Sequence, residues 1–114
     1  MKCYIVYART YKESTFTLWE TEEAGYEHLK RLLNSLDFQD MKRFMKKHRL
    51  KLKNAWYLKI DTNTNVHFTV NSNRSSLTIE YSYETPAGSF AQLALKLIPY
   101  VVDSNKGIDL RPDF

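Results

Sequence analysis

Residues 66–83 read VHFTVNSNRSSLTIEYSY, and their period of two decides the fold. Val66, Phe68 and Val70 alternate with His67, Thr69 and Asn71. Beyond Asn71-Ser72-Asn73-Arg74, Leu77, Ile79, Tyr81 and Tyr83 alternate with Thr78, Glu80 and Ser82. Successive side chains of a strand point to opposite faces, so each run is a strand with one apolar and one polar face. The Asn and Ser residues between them favour turns, which makes the pair a hairpin. Upstream, Leu50, Leu52, Trp56, Leu58 and Ile60 hold even positions against Lys51, Lys53, Tyr57 and Lys59, and Asp61-Thr62-Asn63-Thr64-Asn65 follows as a turn. Three alternating strands joined by short loops form an antiparallel meander with one wet face.

Working outward, residues 2–11 are rich in Tyr, Ile and Val and read as a strand, and Lys12-Glu13-Ser14 turns into a second, Thr15–Trp19, with Phe16 and Leu18 on one face. Thr21 stands where a helix N-cap belongs, with Glu22 and Glu23 at the positive end of the helix dipole. Tyr26, Leu29, Leu32, Leu33 and Leu36 then fall on one stripe, and Asn34-Ser35 ends the helix. Asp37 is placed to cap a second helix with the inner stripe Phe38, Met41, Phe44, Met45 and His48. Near the other end, Pro86 suits the first turn of a last helix capped by Thr85. Its stripe of Phe90, Leu93, Ala94, Leu97, Ile98 and Val101 is widened by Ala91, Leu95 and Val102, and Pro99 kinks or ends it. An apolar arc that wide is covered on more than one side, by the tail or by a second copy in a homodimer.

The expected fold is therefore α+β, a two-layer sandwich in the order ββααβββα, with a mainly antiparallel sheet of about five strands and helices packed on one face. Residues 1–102 form one domain and 103–114 a polar tail. At 114 residues the chain suits one domain, and a 43% hydrophobic composition supplies its core. Cys3 is the only cysteine, so no internal disulfide is possible, and a small core-filling thiol is expected. No run approaches the ~20 apolar residues of a membrane span, nor does the start of the chain resemble a signal peptide. A soluble, cytoplasmic protein with no membrane partner is expected.

Charge is distributed unevenly. Residues 42–53, KRFMKKHRLKLK, hold seven of the seventeen Lys and Arg, and no acid lies between Met41 and Ile60. Elsewhere ten cations face thirteen acids, so the net charge of +4 is the property of one segment. On a helix, Lys42, Arg43, Lys46, Lys47 and Arg49 share one outward arc. On the following strand Lys51, Lys53, Tyr57 and Lys59 share the outer face, with Tyr57 as an exposed platform for bases. Such a field attracts phosphate backbones or acidic protein surfaces.

These nine residues are the expected binding surface, and the expected partner is nucleic acid held mainly through phosphates. A protein-binding modulator or inhibitor of the immunity or anti-defence kind, docking on an acidic partner, is the alternative. His28, His48 and His67 lie on three different elements with no second ligand at metal spacing, so neither metal nor other cofactor is expected. No P-loop, nucleophile elbow or dinucleotide fingerprint is present, which favours binding over catalysis. A lesser enzymatic reading puts His67, Glu80 and Lys59 on one wet face for acid–base cleavage of RNA. Paired helices, a following antiparallel sheet and basic residues are similar in outline to the RelE-type ribonuclease toxins, although the leading strand here is extra.

Overall fold

The computed structural model describes residues 2–52, 57–62, 65–73 and 76–101, with the backbone alone at 57, 58, 73 and 101. Among the described residues, six strands make one antiparallel sheet. They are Lys2–Arg9 (β1), Ser14–Trp19 (β2), Tyr57–Asp61 (β3), Val66–Asn73 (β4), Ser76–Glu84 (β5) and Phe90–Val101 (β6). Their order is β2-β1-β6-β5-β4-β3. The β1–β2 turn is closed by the Thr10 hydroxyl, which accepts from the amides of Lys12 (3.2 Å) and Glu13 (3.1 Å). β4 runs on through Asn71, Ser72 and Asn73, which the sequence placed in a turn; Asn73 pairs with Ser76. β3 is described only from Tyr57, so the alternation from Leu50 is strand-like in pattern but lies outside regular structure at 50–52.

The largest departure from expectation is the last element. Residues 90–101 form a strand, not a helix, and it sits in the middle of the sheet between β1 and β5. Thr85 and Pro86 open a turn instead of a helix: the Gly88 amide donates to the Thr85 carbonyl (2.9 Å), with Pro86 at the second position and Gly88 at φ 83°. This is a type I turn followed by a left-handed glycine, a standard hairpin connection. The wide apolar arc has a simple cause. Leu93, Leu95 and Leu97 point to the helix side while Ala94 lies on the opposite side, and all four are buried. A strand with apolar side chains on both faces reads as a near-continuous apolar run, which periodicity alone does not separate from a buried helix. Pro99 lies beyond Leu97, the last β6 residue with a β5 partner, so its missing amide breaks no ladder on that side. With residues 90–101 a strand, the basis for a homodimer through a helix there is removed as well. Val102 and the tail at 103–114 lie outside the described residues.

Two helices cover one face of the sheet. Glu22–Leu33 (α1) is capped as expected, the Thr21 hydroxyl accepting from the Ala24 amide (3.1 Å). It approaches the sheet closely through Gly25, where a Cβ would stand 2.8 Å from Leu97 Cδ1. Gln39–Lys47 (α2) follows a short 3₁₀ turn, Leu36–Phe38. That turn changes two expectations: Asp37 does not cap α2, and Leu36 is 85% exposed instead of continuing the α1 stripe. Phe38, Met41, Phe44 and Met45 are buried as expected. Phe44 stacks on Phe68 (centroids 5.0 Å apart) and meets Tyr81 edge-on (5.7 Å), which seats α2 over β4 and β5. At the other end of α2, the Tyr11 hydroxyl donates to Asp40 (2.8 Å), tying the β1–β2 turn to its first turn. Burial and this carboxylate hold the Tyr11 phenol above its ordinary pKa. Cys3 is buried, the small interior thiol anticipated.

Candidate anion-binding cleft

The basic segment takes its shape from the way α2 ends. The Leu50 amide donates to the Met45 carbonyl (2.8 Å) and the Arg49 amide to the Lys46 carbonyl (3.1 Å), the paired bonds of a Schellman motif. The position between them needs left-handed backbone, and Arg49 occupies it at φ 56°. Glycine normally fills that place because a side chain there costs about 1–2 kcal/mol. The turn redirects the chain, so that Leu50, Lys51 and Leu52 form a wall alongside α1 and α2.

The result is an open cleft of about 790 Å³ between α1, α2 and residues 49–52. Tyr26, Leu33, Met45, Leu50 and Leu52 supply its apolar lining. Lys30, Lys42, Lys46, Arg49 and Lys51 supply five cations, and among the described residues no carboxylate lines it. Lys42 donates to the Asn34 side-chain oxygen, which fixes it across the α1 C-terminus. Lys30 bonds to Glu27 (2.8 Å), outside the lining, and this bond raises the ammonium pKa. Its charge is thus secure at neutral pH. Cations within a Debye length of one another, about 8 Å in physiological salt, sum their fields in a concave site with low-dielectric walls.

Not all the sequence-derived residues meet there. Of the nine, Lys42, Lys46, Arg49 and Lys51 come together. Arg43 and Lys47 lie on the other flank of α2, beside a smaller cavity of about 400 Å³ that also contains Asp40, and Arg43 approaches Asp40 (3.7 Å). One helical arc is therefore divided between two concavities. Lys59 pairs across the sheet with Thr69, on the face opposite the helices, where its ammonium lies 3.7 Å from Asp61. Lys53 lies outside the described residues, and so does the Tyr57 side chain.

The face holding Lys59 also carries His67, whose Nδ1 is 2.6 Å from Asp61 Oδ1. This bond, followed in weight by the nearby Lys59, lowers the Asp61 pKa. Glu80 does not join His67; it accepts from Gln92 (3.2 Å) and faces Lys96 (3.8 Å). His48 is half-buried and stacked on Phe44 (4.3 Å). Among the described residues, no group of His, Cys, Asp and Glu is arranged to hold a metal ion.

Sequence reasoning put Tyr26 and Leu33 on the apolar stripe of α1 but did not assign them or Lys30 to a site, because nothing in a linear pattern says which edge of α1 borders α2. It also missed Asp61 as the partner of His67, although both project to one sheet face once the β3–β4 register is known. Comparison with known proteins finds no matching family model, curated protein or solved structure. Among the described residues no helix is long and apolar enough to cross a membrane.

Proposed function

We propose that this protein binds nucleic acid, holding the phosphate backbone on the cationic rim of the α1–α2 cleft with little sequence discrimination. The observation that carries the reading is the convergence of Lys30, Lys42, Lys46, Arg49 and Lys51 on one concavity whose described lining holds no carboxylate. Phosphates neutralise such cations and release counterions, a gain that depends on salt and not on base sequence. An acidic partner protein draws on the same field. A concave site favours a flexible polyanionic strand, which can enter it, over a folded surface, which would meet only the rim. In this reading the protein works by binding and carries out no chemistry.

The test is fluorescence anisotropy of a labelled oligonucleotide at increasing salt. The logarithm of the affinity should fall linearly with the logarithm of salt concentration, by about 0.7 per contacted phosphate for a single strand. Lys42→Glu with Lys46→Glu should abolish binding at physiological salt. Affinity indifferent to both salt and the substitutions overturns the proposal.

A further inference from the structure

Resting on the phosphate reading, we infer that the cleft selects single-stranded nucleic acid and seats an unpaired base on its apolar floor. The floor is the evidence. Phosphates alone need only a charged surface, yet here the cations surround Leu33, Met45, Leu50 and Leu52. Two of these, Leu50 and Leu52, are half-buried and held in place beyond the left-handed Arg49. Backbone held in a sparsely populated region persists where the surroundings or a function require it. The energetic cost at Arg49 thus maintains an apolar wall beside a cationic rim.

Tyr26 adds a polar anchor to that wall. Its hydroxyl donates to the Leu52 carbonyl (3.4 Å), and Lys30 lies over its ring, 5.1 Å from the centroid. The cleft volume of about 790 Å³ is within the roughly 300–1,000 Å³ typical of small-ligand sites. A base has apolar faces and fits such a place; its phosphates then reach the lysines on the rim. A duplex keeps its bases stacked inside, so it touches the rim and leaves the floor in water. The same physics governs grooves that track single strands, in which base contacts add affinity without reading sequence.

Three labelled probes of equal length and equal salt test this: a single strand, the same strand annealed to its complement, and an abasic strand that keeps the phosphates. The wild-type protein should bind the single strand at least about tenfold tighter than either of the others. Leu50→Ala with Leu52→Ala should remove the difference between single-strand and abasic affinity. Duplex or abasic affinity equal to or above that of the single strand overturns this inference while leaving the phosphate reading intact. Failure to bind any probe at low salt overturns both. The wild-type series decides the matter even where the double variant does not fold.

Discussion

The amide of Leu50 donates to the carbonyl of Met45 across 2.8 Å, closing α2 around an arginine in left-handed backbone. One local bond pattern thus sets both the end of the helix and the wall of the cleft. On the proposed function, stability and binding are opposed at Arg49, and that opposition can be measured.

Arg49→Gly should raise stability by about 1 kcal/mol, since glycine adopts positive φ without steric cost. A thermal melt should show an increase of a few degrees for a domain of this size. The same variant should bind an oligonucleotide more weakly, with the salt slope reduced by about one. A variant that is less stable than the wild type contradicts the strain assigned here.

Gly25→Val should destabilise the fold by about 1–3 kcal/mol, the usual cost of overpacking. The new Cβ would stand 2.8 Å from Leu97 Cδ1, with Val6 at 3.6 Å and Trp19 at 3.7 Å, so the buried Leu97 side chain would have to move. Chemical denaturation gives the value, and a neutral result contradicts the close approach of α1 to β6.

Lys59→Ala should leave oligonucleotide affinity and its salt slope unaltered, whereas Lys46→Ala should reduce both. Both lysines belong to one sequence cluster, but only Lys46 lines the cleft, while Lys59 lies near Asp61 on the other face of the sheet. Equal losses from the two would return the binding surface to the whole cluster.

Asp61 should titrate below its ordinary value of 3.8, because His67 hydrogen-bonds its charged form. A depressed carboxylate pKa contributes stability above the unfolded value, and that contribution is lost as pH falls through the lower folded value. Carboxyl NMR titration should therefore show the Asp61 midpoint moving up toward 3.8 in His67→Ala. The same variant tests the enzymatic reading. Any RNA cleavage unaffected by removal of His67 does not arise from the site expected at His67, Glu80 and Lys59.

Elements with a clear local signature were legible in the chain. Thr21 caps α1 as expected, and the alternation at 66–83 became two paired strands. The segment at 90–101 was not legible, because its Leu and Ala favour helix in isolation and only the flanking strands make a strand of it. Half of the cleft was visible as charge density. The other half depends on how two helices lie side by side, which brings Lys30 into one cleft with Lys42 and sends Arg43 and Lys47 to the far flank.

The position of β6 has a consequence for how the molecule is made. Its neighbours are the first strand of the chain and the fifth, so the β1–β2 ribbon and the β3–β5 ribbon have no ladder in common until it inserts. During synthesis both ribbons wait with open edges, and assembly is completed only when residues 90–101 have emerged to join them. Closure between such distant segments slows folding and leaves a window for mispairing. A nascent chain arrested before Phe90 is expected to be captured by chaperones, and one extended past Val101 to escape them.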